Sequence, residues 1–389
     1  MDSTHPRGGS VASELYDLLC LGLSRLLRSP LLPRVLLLLP LVALSARVPQ
    51  PVVHVGPRQT VQSINPKMGV HTRLTDEVEE WKIKRTLEMV REMGASWIVE
   101  YFPWGYYEPE KGRLDWRHPD LVVDHAIAQG LEVVARIDFV PGWARPEDTT
   151  FRYLPEESYG DFAAFVAAFV QHFRGRVKYV VVWNEPNLAF EWGYRLPDPE
   201  SYTRLLQQTY RRAKEANPDV IVLAAGLAPT LAPPGSEWGM DDLEFLRRMY
   251  SASAKGSFDG LAIHAYGWTL PPDSPPRSDS LGFSRAELLH EVMVENGDGD
   301  LPCLITEAGW NDNRRWANAV RPAQRIDYTL RAYQMVLEDW PWCRMVAMWV
   351  FRYPRPARNY QDDFSFVTPG FVTRPIYTAV QAYARGQQP

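Results

Sequence analysis

From Lys67 onward the chain repeats one unit eight times, a short apolar run followed by a longer amphipathic stretch. The runs are KMGVH (67–71), SWIVEYF (96–102), EVVARID (132–138), YVVVWNE (179–185), VIVLAAG (220–226), GLAIHAY (260–266), CLITEAG (303–309) and MVAMWVF (345–351). They are apolar with little alternation, which predicts strands of a parallel sheet buried on both faces. The stretches between them have the helical period and its punctuation. Asp76 precedes EVEEWKIKRTLEMVREMG, which ends on Gly94, and PESYTRLLQQTYRRAKEAN stops at Asn217-Pro218. Further helices are expected at 121–129, 159–173, 241–250, 284–295, 322–337 and 374–383. Eight such units predict an α/β fold closed into a single (β/α)8 TIM barrel over residues 67–389. An open doubly wound sheet is the rival, but no strand-to-helix turn has the glycine-rich phosphate loop that usually marks one.

The segment ahead of the barrel differs. Arg25, Arg28 and Arg34 precede VLLLLPLVALSA, an uncharged run of 12 residues from Val35 to Ala46 that ends in small side chains. That length suits the core of a signal peptide and falls short of the roughly 20 residues a spanning helix needs. Residues 1–46 are therefore expected to act as a signal peptide or as a signal anchor. In the second case a membrane tether would run through residues 18–46. The expected location is secreted or extracytoplasmic, and residues 47–66 are read as a linker or a strap under the barrel.

Composition narrows the function. The 47 acidic and 42 basic residues give a net charge of −5, which offers no electrostatic footprint for nucleic acid. No cofactor motif is present. There is no HExxH, no cysteine pairing at zinc spacing, and ENGDGDLP (295–302) lacks the ligand spacing of a calcium loop, so no metal is expected. Beyond Cys20, the chain has only Cys303 and Cys343, at the starts of neighbouring expected strands. They suit either a disulfide in an oxidising compartment or two buried thiols.

A barrel of this kind keeps its chemistry at the carboxyl ends of its strands. Those ends hold His71, Tyr101 with Trp104, Asp138 with Trp143, Asn184 with Glu185, His264 with Tyr266, Glu307 with Trp310, and Trp349. Glu185 and Glu307, on strands four and seven, are placed across one mouth. Facing carboxyl groups suit glycoside hydrolysis, in which one protonates the leaving oxygen and the other attacks the anomeric carbon or activates water. The 14 tryptophans agree with that reading, because the C–H faces of sugars stack on flat apolar rings. Glu100, Asp138, Glu191 and Asp312 are expected at the rim or paired with arginines.

WNEPN (183–187) and ITEAGW (305–310) resemble the acid/base and nucleophile motifs of the large clan of retaining glycoside hydrolases that includes families 5, 10, 39 and 42. The segment from Glu108 to Ala144 is similar to the passage these families place after strand two. WNEPNL followed by FEW resembles family 39 most, with family 5 next. The resemblance implies Glu185 as general acid/base and Glu307 as nucleophile, acting on a carbohydrate substrate without a cofactor. It further implies Asn184 on the sugar 2-hydroxyl, Tyr266 donating to the nucleophile, His264 orienting the acid or the sugar, and Trp349 as a stacking floor. Trp310, Trp104, Trp143 and His71 complete the expected sugar-binding set. Many members also have an arginine on strand two near the nucleophile. SWIVEYF has none, and Arg136 on strand three is the candidate to replace it. A carbohydrate-binding barrel without turnover and a transglycosylase share these residues. Family 39 likeness points toward xylosides.

Overall fold

The computed structural model describes residues 56–387. The leader reading for residues 1–46, and the linker up to residue 55, lie outside the described residues. Eight parallel strands close in sequence order: β1 (Met68–His71), β2 (Trp97–Pro103), β3 (Glu132–Asp138), β4 (Tyr179–Val182), β5 (Ile221–Ala224), β6 (Gly260–Tyr266), β7 (Cys303–Gly309) and β8 (Cys343–Met348), with β8 pairing back onto β1. The fold is a (β/α)8 barrel. The helices are α1 (Glu80–Met93), the short α2 (Trp104–Tyr107), α3 (Arg117–Ala128), α4 (Tyr159–His172), α5 (Pro199–Ala216), α6 (Asp242–Ser251), α7 (Arg285–Glu295), α8 (Pro322–Glu338) and α9 (Pro375–Ala384). Among the described residues no helix is long and apolar enough to cross a membrane.

Local chemistry sets several boundaries. Helix α5 starts where the Asp198 carboxylate accepts the Ser201 N–H at 2.8 Å and Pro199 occupies the first turn. Asp241 caps α6 in the same way, through Leu243 and Glu244. Gly94 ends α1 in the left-handed region at φ 97, where its N–H reaches back to the Val90 and Arg91 carbonyls. The start of α1 differs from the sequence reading. Asp76 pairs with Arg73 instead of capping, and residues ahead of Glu80 form a turn closed by Glu77 N–H to Leu74 O.

Two apolar layers hold the barrel. Inside it lie Trp97, Val99, Val134, Tyr179, Val181 and Leu223, joined by Ala262, Leu304, Met345 and Ala347. The other face of each strand packs against the helices, as with Ile98, Val133, Val180 and Ile305. This alternation, in on odd positions of β2 and on even positions of β3, is the strand's period of two. Residues 59–65 run against the barrel, with Gln59 N–H bonding Ala128 O at 2.7 Å and Asn65 Nδ2 bonding Tyr333 O at 2.9 Å.

Cys303 and Cys343 sit side by side in the β7–β8 pairing, yet both are free buried thiols. The Cys303 thiol points to Met293 Sδ at 3.5 Å, and that of Cys343 to Met345 O at 3.3 Å. Of the two readings open in the sequence, the disulfide is not the one formed. Burial pushes both thiols up, Cys343 to about 12, which keeps them unreactive.

Candidate active site

The carboxyl ends of the strands open on a cleft of about 370 Å³. Two departures from strand regularity aim its glutamates. Strand β4 stops at Val182 because Trp183 turns left-handed, at φ 77, and Glu185 follows at φ 41. A non-glycine residue in that region costs about 1–3 kcal/mol and persists only where its surroundings enforce it. Here Trp183 is driven into the core against Phe162 and Trp192, and the Glu185 N–H is held by Gly226 O at 3.0 Å. As a result Asn184 and Glu185, adjacent in sequence, both face the cleft, which a regular strand forbids. On β7 the register slips between Ile305 and Glu307: Ile263 pairs with Ile305, but His264 pairs with Glu307. Leu304 points into the barrel, so without this bulge Glu307 would face the helices.

The polar groups then form one network. Arg136 Nη1 donates to Glu307 Oε1 at 2.7 Å and to Asn184 Oδ1 at 2.8 Å. The Tyr266 hydroxyl donates to Glu307 Oε2 at 2.8 Å. His264 Nδ1 lies 2.7 Å from Glu185 Oε1 and 3.9 Å from Glu307 Oε2. Its ring passes so close to Gly226 that a Cβ there would sit 2.4 Å from the imidazole, so glycine is required at that position. An oxygen of Glu185 and one of Glu307 lie within 4.8 Å of each other.

The two histidines sit in opposite electrostatic settings. His71 is fully buried, and burial, reinforced by the Arg136 charge, lowers its pKa to about 3. Its Nδ1 is 2.8 Å from the Thr72 carbonyl, an acceptor only, so that nitrogen has the proton. Nε2 is left as an unpartnered acceptor 3.8 Å from Glu307 Oε1. At His264, burial also opposes charge, but Glu307 and Glu185 outweigh it and raise the pKa. Burial pushes the Glu307 carboxyl up, yet the charges of His264 and Arg136 prevail and hold it down to about 2. Glu307 is thus an anion with both oxygens engaged, next to a protonated arginine.

Beside this network Arg152 Nη1 lies 2.9 Å from both Asp138 Oδ2 and Glu191 Oε2. Burial, opposed by Arg152 and assisted by Glu185, lifts Glu191 to about 7. Asp312 pairs with Arg325 at 3.3 Å. Glu100 departs from its expected place. It is buried, neither solvated nor bonded to an arginine, and accepts Thr72 Oγ1 and the N–H groups of Leu74 and Thr75, fixing the loop after β1.

Asn184, Glu185, Tyr266, Arg136, Glu307, Trp310 and Trp349 line the cleft, with His71 and His264 buried at its base. Trp349 presents a half-buried ring, with the edge of His71 against it at 4.5 Å. Trp310 is nearly buried, its Nε1 spent on Leu270 O. Trp104 and Trp143 do not line the cleft. They pack edge to face at 5.2 Å, Trp104 from α2 and Trp143 from the loop after β3, and both indole N–H groups are spent on Glu108, which holds the rings away from the cleft. The sequence reading also missed Arg73, Phe190 and Tyr360, which reach the cleft from long loops where no periodicity marks a residue's direction.

Glu185, His264 and Glu307 bring a nitrogen and two oxygens together at a spacing a cation could use. Glu307 already accepts two hydrogen bonds and Arg136 adds a positive charge, so the set favours proton and anion chemistry over ion binding.

No protein-family model matches the chain, and no curated protein does. Solved structures do. A family 39 glycoside hydrolase from the gut symbiont Bacteroides cellulosilyticus WH2 is similar over 82% of this chain and 64% of its own, at 23% identity and a TM-score of 0.66. The chain therefore spans less than two thirds of that protein. A family 39 enzyme from Xanthomonas axonopodis pv. citri matches over 86% of this chain and 71% of its own, at 18% identity and a TM-score of 0.59. A family 39 β-xylosidase from Caulobacter crescentus matches over 85% and 74%, at 19% identity and a TM-score of 0.57. At such identities the likeness establishes the fold this chain shares with them, the (β/α)8 barrel.

Proposed function

We propose that the protein is a retaining glycoside hydrolase that cleaves O-glycosidic bonds of an oligo- or polysaccharide through Glu185 and Glu307. One observation carries the reading: Glu307 is kept ionised by Arg136 and Tyr266, with an oxygen of Glu185 within 4.8 Å. Retaining enzymes hold their carboxyl groups about 5–5.5 Å apart, whereas inverting ones need about 6.5–9.5 Å to admit a water.

In the first step a Glu307 oxygen attacks the anomeric carbon as Glu185 gives its proton to the leaving oxygen, so the C–O bond breaks and a glycosyl ester forms. In the second, Glu185 takes a proton from water, whose oxygen displaces Glu307 and restores the original anomeric configuration. His264, 2.7 Å from Glu185, keeps the acid's orientation through both steps. Asn184, oriented by Arg136, has its amide free for a sugar hydroxyl near Glu307. The neutral His71 supplies an acceptor at Nε2. The xylosidase activity named for the Caulobacter relative puts xylosides first among candidate substrates. The leader motif supports an extracytoplasmic or membrane-tethered location, testable by asking whether the mature N-terminus begins near residue 47.

The test is hydrolysis of aryl glycosides and polysaccharides, with product configuration followed by NMR, beside Glu307→Gln. Retained configuration lost with the variant is expected. Inverted product would overturn the mechanism, and sugar binding without turnover would leave a binding barrel.

A further inference from the structure

Exposed apolar side chains gather on two neighbouring loops, one of which reaches the cleft through Phe190. Phe190, Tyr194 and Leu196 after β4, and Leu231 and Trp238 after β5, are all exposed, with Phe190 at 48%, Tyr194 at 75% and Trp238 at 57%. Large apolar side chains on a soluble surface are normally scattered singly, and a group of them marks a contact.

These rings stand on a rigid base. Asn187 is fully buried and ties the two loops together, donating to the Ala228 and Met240 carbonyls and accepting the Ala228 N–H, all within 3.0 Å. The Ala189 N–H bonds the carbonyl of Trp238 itself at 3.0 Å, so the backbone next to Phe190 is fastened to Trp238. Beneath them Trp183 packs on Trp192 and donates to Glu191 O at 3.0 Å. Gly193, at φ +77, backs onto Tyr153 so closely that a Cβ would lie 2.6 Å from the Tyr153 Cα. The loop is locked with its outer rings turned to solvent.

Phe190 joins this surface to the cleft, which it lines together with Glu185 and Glu191. In the double displacement proposed above, Glu185 protonates the leaving oxygen, so the leaving group departs over the loops after β3 and β4. The opposite wall, from Trp268, Trp316 and Tyr360, belongs to the loops after β6 to β8 around Glu307. We propose that Phe190 and Trp238 form a stacking platform for the leaving-group end of an extended carbohydrate chain. The substrate then has several sugars beyond the scissile bond. This inference rests on the glycosidase reading. A ring face matches the C–H face of a pyranose, and rings pre-ordered by buried partners bind without the cost of ordering a loop.

The test uses the full chain carrying Glu307→Gln, titrated calorimetrically with the hexaoses and dioses of β-1,4-linked xylose, glucose and mannose. In at least one series six sugars bind more tightly than two. Adding Trp238→Ala cuts that advantage about tenfold, and Trp238→Phe, which keeps a ring face, restores most of it. A length advantage that survives Trp238→Ala overturns the platform. So does hydrolysis of aryl glycosides by the intact chain with no length advantage in any series, which leaves the glycosidase reading standing. Loss of a dimer in sedimentation on Trp238→Ala, with sugar binding unmoved, assigns the face to a second copy and also overturns the platform. Neither hydrolysis nor binding of any of these sugars sinks both readings.

Discussion

The same strands build two unlike regions, a lower barrel interior that is wholly apolar and an upper one that is almost wholly polar. On β3, Val134 lies in the apolar layer and Arg136, two residues on, bonds Glu307 and Asn184. On β6, Ala262 lies below and His264 above, against Glu185. The lower layer needs only volume and apolarity, and any close-packed set of side chains meets that need. The upper layer needs each donor matched to an acceptor, since a buried charge without its partner is strongly destabilising. The contrast teaches that stability and chemistry are separated here by only about 7 Å of strand, two residues at about 3.3 Å each.

The largest effects should test that separation from above. Glu307→Gln is expected to lower kcat by on the order of 10⁴-fold or more, measured on any glycoside the intact protein cleaves. Arg136→Met removes one donor shared by Glu307 and Asn184, and should cost about 10²–10³ in kcat. It also takes a positive charge from Glu307, so that carboxyl's pKa rises from about 2 and the acidic limb of the pH–rate profile moves to higher pH. An acidic limb that stays in place would mean that Arg136 does not hold the charge of Glu307.

From below, Leu304→Ala should cost about 2–5 kcal/mol in denaturant unfolding while turnover is largely kept. A collapse of kcat with intact folding would break the comparison. His71 bridges the regions. Its folded pKa of about 3 lies under the ordinary 6.5, so between those values the unfolded chain binds a proton that the native one does not. Stability is therefore lost as pH falls from about 6.5 toward 3, and His71→Gln should flatten that limb by a few kcal/mol. The window overlaps that of Glu307 only below about 4.5, since the depressed pKa of that carboxyl gives stability present above about 4.5 and lost as pH falls toward 2, so of the two groups the limb above about 4.5 reports His71 alone. The smallest effect concerns Cys303 and Cys343. A reductant should leave Tm unchanged, and a drop on reduction would mean that the pair is bridged in solution.

Much of this was written in residue order. Apolar runs of seven or fewer, separated by amphipathic helices, call for a parallel sheet covered by helices, because only that buries such runs on both faces, and eight such units without a glycine-rich phosphate loop favour its closure into a barrel. Strand-end position likewise singled out Glu185, Glu307, His264 and Tyr266, and the resemblance to retaining glycoside hydrolases pointed to Arg136. Tertiary structure alone decided how they point. The left-handed Trp183 and the bulge before Glu307 reverse the direction a regular strand would impose, and neither leaves a mark in composition. It also decided which tryptophans meet solvent. Trp104 is fully buried and Trp143 half-buried against it, whereas Trp238 stays out because Asn187 and Ala189 pin its loop. Strand and helix periods come from local backbone geometry and survive in any segment read alone. A side chain's final direction on a long loop depends on partners dozens of residues away, and so belongs to the folded molecule.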